Sequence, residues 1–190
     1  MIARRMPVYV RSTIRVVTFG YKHPSFMVDG LRVYGTAAPA SGAYVTMARL
    51  NHEFTAKQYI EILLTKQSNP ANNGMPGISN LAGDISKTVY GNSGALYTNY
   101  GSGSDSYIMY GMTFANGDRI GISYNPENSK FRFWKNGTAN TEIDAPGLGN
   151  RYPCVKSGTG SALDWDFTFC VSAATMSYLP SGYLAFDKTG

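Results

Sequence analysis

Cysteine and histidine are scarce in this 190-residue chain, with two of each. Two cysteines cannot build a disulfide-stapled scaffold. Cys154 and Cys170 are therefore expected to be reduced and buried, and their strands are read as neighbours. His23 and His52 stand alone, and a zinc site needs three or four clustered ligands, so no metal and no cofactor is expected. Neither a Gly-x-Ser-x-Gly elbow nor a phosphate-binding loop occurs. No stretch approaches the ~20 apolar residues that cross a bilayer, so membrane insertion is not expected. The apolar run "IRVVTF" is short and set among arginines, which argues against a secretory signal.

Acids are absent from the first 28 residues. Five basic residues precede Asp29: Arg4, Arg5, Arg11, Arg15 and Lys22. From Asp29 onward, twelve Lys and Arg face twelve Asp and Glu, so the whole net charge of +5 lies in the N-terminal arm. Such an arm suits an acidic protein surface, a nucleic acid or a membrane, and a solvated strand or tail is the equal alternative.

What the chain has in quantity is Gly, with 21 residues, and aromatics, at 13% including 14 Tyr. Tyr, Phe, Val and Thr suit a pleated, half-buried surface, and Gly with Asn suits tight turns. The length supports one domain with a full core. "VYVRSTIRVVTF" (8–19) reads as a strand, "VDGLRVYG" (28–35) as a second around Asp-Gly, and "QYIEILLTK" (58–66) as a third. "TAAPASGAY" (36–44) reads as a linker. The division expected is a basic arm and linker over 1–43 and a sandwich over 44–190 that folds alone.

The most regular segment is "GDRIGISYNPENSKFRFWKNG". Ile120, Ile122, Phe131 and Phe133 fall at period-2 positions that can share a buried face. "NPENS" and "KNG" are turn signals. Gly121, inside a strand, predicts a neighbour packed closely over it, with Trp134 or Phe133 as the candidate. Asp164 and Asp166 flank Trp165 on one side of a strand, and a solvated strand end is the reading adopted over a glycosidase pair or a calcium site.

This hairpin resembles the core hairpin of the SPRY (B30.2-like) domain. The likeness extends in order to "QYIEILL", "MPGISN", "ALYTNYGSGSDSYIMYG", "RYPCVKSG", "DWDFTFC" and "LPSGY", over about residues 44–187. Asn125 stands where the family has Asp, and Thr168-Phe169-Cys170 where it has Asn-Phe-Gly. The resemblance implies an all-β fold, a two-sheet antiparallel sandwich of jelly-roll, concanavalin-like type, here preceded by an N-terminal β arm. It also implies a binding module rather than an enzyme, with contacts made by loops.

The richest loop material is 91–110, where Tyr97, Asn99, Tyr100, Asp105 and Tyr107 are the binding candidates. Tyr107 and Tyr110, which approach the next strand, are also read as closing the sandwich edge. The Gly-, Ser-, Asn- and Tyr-rich style resembles SPRY-type domains of bacteriophage structural and adhesion proteins. That implies a fibre, spike or capsid decoration module, assembled in the host cytoplasm, oligomeric in the particle and docked on capsid or tail proteins through Arg4, Arg5, Arg11 and Arg15. A host surface glycan or protein is the outward partner, and nucleic acid is not expected. The alternatives are a lectin-like adhesin and an intracellular protein-interaction adaptor.

Overall fold

The computed structural model describes residues 13–35, 46–67, 74–82, 86–99, 106–144, 149–157 and 164–189. Among these residues the regular structure is all strand. The strands are β1 (Phe19–Lys22), β2 (Phe26–Asp29), β3 (Arg32–Gly35), β4 (Thr46–Leu50), β5 (Gln58–Gln67), β6 (Gly74–Ser79), β7 (Ser86–Tyr90) and β8 (Ala95–Thr98). They continue with β9 (Ser106–Met109), β10 (Arg119–Asn125), β11 (Lys130–Lys135), β12 (Thr138–Asp144), β13 (Tyr152–Ser157), β14 (Trp165–Cys170) and β15 (Leu184–Ala185).

Two sheets face each other. One has seven strands in the order β1-β4-β13-β6-β7-β8-β9. The other has eight, β12-β11-β10-β5-β14-β3-β2, with β15 pairing β5. The pairs are antiparallel except β15 with β5. This is the expected antiparallel sandwich.

The core follows from period-2 alternation. Ile60, Ile62 and Leu64 on β5, Ile120 and Ile122 on β10, and Phe131 and Phe133 on β11 are fully buried. They meet Ile78, Val89, Leu96 and Val155 from the other sheet within one apolar cluster. Phe54 sits edge-on to Phe131 and Phe186, at 5.8 and 5.0 Å between centroids. The β11–β12 turn is the sharpest local signal: Asn136 and Gly137 have φ of 47° and 81°. Both central positions of this tight turn are left-handed, as Asn-Gly favours.

Several expectations change. Residues 13–35, read as arm, pair into both sheets: β1 with β4, and β3 with β14. Phe26 and Val33 are fully buried. The strand expected over 8–19 is, in its described part, one bridge of Ile14 to Lys188 followed by β1. A few backbone bonds hold this stretch, Arg15 N–H to Asp187 O, Thr189 N–H to Thr13 O and Asn51 N–H to Thr18 O, and side chains add to them: Asn51 accepts from Thr18 N–H and donates to Val16 O, and Arg15 bonds carbonyls of Phe186 and Glu53. The linker of 36–44 lies outside the described residues.

Gly121 is covered by Tyr59, not by Trp134 or Phe133. A Cβ there would lie 2.3 Å from the Tyr59 hydroxyl. Gly121 pairs with Glu61 across the sheet, so its face is the outer one, where Tyr59 lies and Trp134 stacks edge-on behind it at 6.0 Å. Cys154 and Cys170 are buried and free, but they sit on β13 and β14, in opposite sheets rather than on neighbouring strands. Asp166 is not a solvated strand end. Arg32 grips both its oxygens, with Nε at 3.0 Å from each and the outer nitrogen at 2.5 Å from Oδ2. Asp164 pairs with Lys66 Nζ at 2.5 Å.

Candidate binding surface

The Gly- and Tyr-rich stretch contains a hairpin, β8–β9, which ends the seven-stranded sheet. Register decides what each tyrosine does. Tyr97 pairs directly with Tyr107 on β9 and with Thr88 on β7. Directly opposed residues share a face. That face is the outer one, because Val89, Leu96 and Ile108 form the alternate row and Val89 and Leu96 are in the core. Tyr90, two residues from Thr88, joins the outer row.

The rings form a continuous strip. Tyr97 and Tyr107 lie 5.3 Å apart at an interplanar angle of 36°. Tyr90 meets Tyr97 edge-on at 6.1 Å. Tyr90 and Tyr97 are half-buried, while Tyr107 is 62% exposed. Ring pairs of this spacing attract one another, which favours the strip's arrangement. Tyr supplies large contact area with few rotatable bonds.

The other sequence candidates divide. Asn99 has φ of 55° and clamps the hairpin base: Ser86 N–H donates to its Oδ1, and its own N–H donates to Ser86 O. Its Oδ1 and backbone N–H are thus committed to local structure. Tyr100 and Asp105 lie outside the described residues, as do Arg4, Arg5 and Arg11. Arg15 is described, and its guanidinium is used within the fold: Nε and one outer nitrogen donate to Phe186 O, the group also lies 4.5 Å over the Phe186 ring, and burial lowers its pKa. Tyr110 closes the sandwich. Its hydroxyl donates to Thr141 O, its ring meets Phe133 edge-on at 6.1 Å, and burial pushes its pKa up to about 12.

Two adjoining clefts open at one end of the sandwich. The first, about 400 Å³, is lined by Met112, Lys135, Asn136 and Asn140 among others. The second, about 510 Å³, is lined by Gln67, Asn92, Phe114, Asn116 and again Lys135. Asp118 holds Lys135 at 3.1 Å and Asn136 at 2.7 Å. Sequence reasoning missed these clefts, because their amides are scattered along the chain: Gln67 on β5, Asn140 on β12, and Asn92, Asn116 and Asn136 in three separate turns or loops. The one signal was the density of Asn in turn positions, which reads first as turn chemistry.

Sequence reasoning also missed what Glu61 does. Its carboxylate is fully buried and accepts from Ser177 N–H, Tyr178 N–H, Arg119 and the Tyr59 hydroxyl. These bonds fasten the C-terminal segment over the outer face of the eight-stranded sheet. A carboxylate so fully engaged anchors structure and has no lone pair free for proton transfer. An acid inside the apolar run "QYIEILL" was the available clue.

Chemistry that needs a reactive thiol finds none. Burial raises Cys170, and pushes Cys154 up to about 11. Among the described residues no three His, Cys, Asp or Glu are grouped to hold a metal ion.

No protein-family model and no curated protein matches the chain. Solved structures do. The SPRY domain of human HERC1 aligns at a TM-score of 0.61 and 16% identity, covering 76% of this chain and 91% of that one. The TRIM65 PSpry domain aligns at 0.56 and 14%, covering 82% and 92%. The carbohydrate-binding module CBM66 from Bacillus subtilis aligns at 0.51 and 10%, covering 82% and 92%. The fold is SPRY-like.

Proposed function

We propose that this chain is a non-enzymatic binding module, displayed on a bacteriophage particle, that recognises its target through the β8–β9 tyrosine strip. The observation that carries the binding role is the strip itself: three tyrosine rings in contact at a sheet margin, the last of them 62% exposed. Large aromatic patches on a surface are costly to leave in water and mark contact sites. The structural likeness to two SPRY domains and to a carbohydrate-binding module supports binding of a protein or a glycan.

The particle reading rests on the Gly-, Ser-, Asn- and Tyr-rich style of the sequence and on the basic residues before Asp29. Residues 1–12, with Arg4, Arg5 and Arg11, dock on capsid or tail proteins, and the sandwich faces outward. Mass spectrometry of purified particles tests this part, since absence from the particle removes it.

Among ligands, a host surface glycan is favoured, because tyrosine faces stack on the apolar faces of sugar rings. The test is a glycan array and host-cell binding with the wild-type chain and Tyr97→Ala/Tyr107→Ala. Binding lost in the variant supports the strip, and equal binding moves the contact to the Lys135 clefts.

A further inference from the structure

Among the described residues the two sheets have four edge strands, β1, β9, β12 and β2. An open edge invites pairing with another chain, and proteins blunt it with charges, bulges or cover. Three of the four are blunted. β1 carries Lys22 and a register irregularity between Phe19 and Tyr21. β12 carries Glu142 and Asp144, and its pairing slips between Arg132 and Trp134. β2 ends in Asp29.

β9 has none of these devices. Its sequence is Ser-Tyr-Ile-Met, and no charged residue occurs from Ser106 to Gly117. Its register with β8 is regular. Tyr107, Ile108 and Met109 are 62, 59 and 68% exposed. Among the described residues no hydrogen bond reaches the β9 backbone from the side away from β8.

We propose that β9 pairs with β9 of a second copy about a two-fold axis, joining two seven-stranded sheets into one continuous sheet. The strand is complementary to itself. A two-fold perpendicular to the sheet keeps each face on its own side, so opposed residues must have the same parity. Centring the pair on Ile108 sets Ile108 against Ile108 of the second copy, on the core face beside the buried Leu96. It sets Tyr107 against Met109 twice on the outer face, a favourable sulfur–aromatic contact. One register thus gives all three exposed apolar side chains a neighbour across the new edge. An isologous contact closes at two copies, so the edge does not propagate into fibres. The net charge does not oppose it, because the excess lies before Asp29 and β9 is uncharged.

This pairing stands independently of the binding reading. If both hold, the outer faces stay open and the two tyrosine strips meet across the axis, giving a bivalent surface.

Sedimentation of the full chain over a range of concentrations is the test. The expected mass is twice that of the 20.7 kDa chain at high concentration. Ile108→Lys is expected to give a monomer with unchanged far-ultraviolet dichroism. Ile108→Cys supplies a second readout that does not require Ile108→Lys to fold. Directly opposed residues in an antiparallel pair lie about 4.5–5.5 Å apart at Cα, within disulfide reach. Mild oxidation of Ile108→Cys should therefore give a covalent dimer. Met27→Cys, 45% exposed on the edge strand β2, should not. A wild-type monomer at every concentration overturns the proposal. So does a dimer that survives Ile108→Lys, or equal cross-linking of the two cysteine variants.

Discussion

The β10–β11 and β8–β9 hairpins use the same alphabet of Tyr, Phe, Gly and β-branched residues, yet they serve opposite ends. The first is flanked on both sides, by β5 and β12, and its inward residues are fully buried. The second is flanked by β7 alone, and every residue of its outer strand is exposed. The strands pair in regular register in both. Position in the sheet decides whether the aromatic rings become core or surface. Perturbations of the first hairpin should therefore register in stability, and those of the second in binding.

The largest effect belongs to the inner row of the buried hairpin. Phe133 is fully buried and receives Tyr110 edge-on. Phe133→Ala is expected to cost about 3–5 kcal/mol, the usual range for removing a buried aromatic. Urea unfolding followed by tryptophan fluorescence measures it. A cost near zero would mean that the ring does not sit between the sheets.

The outer row should be less sensitive but still costly. Gly121 lies under the Tyr59 ring, and an added Cβ would meet its hydroxyl at 2.3 Å. Tyr59 cannot swing away freely, since Trp134 packs behind it and its hydroxyl bonds Glu61. Gly121→Ala is expected to cost about 1–3 kcal/mol, the range for overpacking a filled site. A neutral result would show that the Tyr59 and Trp134 pair can shift together.

These two residues also mark how far the sequence could be read. Alternation over Ile120, Ile122, Phe131 and Phe133 made the buried face legible, and Asn-Gly made the turn legible. Gly121 announced a close neighbour but not which one, because Tyr59 arrives from β5, far back along the chain, a non-local contact that no local pattern encodes. The same holds for the arm. Its charge was visible, but the pairing of β1 with β4 and of β3 with β14 depends on partners far along the chain. At the candidate site, composition singled out Tyr97 and Tyr107. It could not show that Asn99 would be spent on Ser86, nor that Tyr90, on the preceding strand, completes the strip.

An intermediate effect should appear at the residue that links the two hairpins. Tyr110 follows β9 and reaches over Phe133 to bond Thr141 O. Burial pushes its pKa from the ordinary 10 up to about 12, and burial raises Tyr59 as well. A raised folded pKa means that the folded state favours the neutral phenol. Its contribution is therefore complete below pH 10 and is lost as pH rises from 10 through about 12. Urea midpoints should fall across that window in the wild type, and less steeply in Tyr110→Phe. Parallel curves for the two proteins would assign the alkaline loss to Tyr59 instead.

The smallest stability effect is expected at the margin. Tyr107 touches Tyr97 on one side and is otherwise open. Substitutions of exposed residues usually move stability by no more than about 0.5 kcal/mol. Tyr107→Ala, unfolded at concentrations low enough to keep the chain monomeric, should fall in that range. Binding to host cells should nevertheless drop, because the strip loses its one exposed ring. That split, stability kept and binding lost, is what separates a contact residue from a core residue. If Tyr107→Ala instead destabilises the chain as much as Gly121→Ala does, the β8–β9 hairpin is part of the core's support, and the contrast between the two hairpins fails. If stability and binding are both unchanged, the hairpin is surface without being site, and the amide-lined clefts around Lys135 become the place to look.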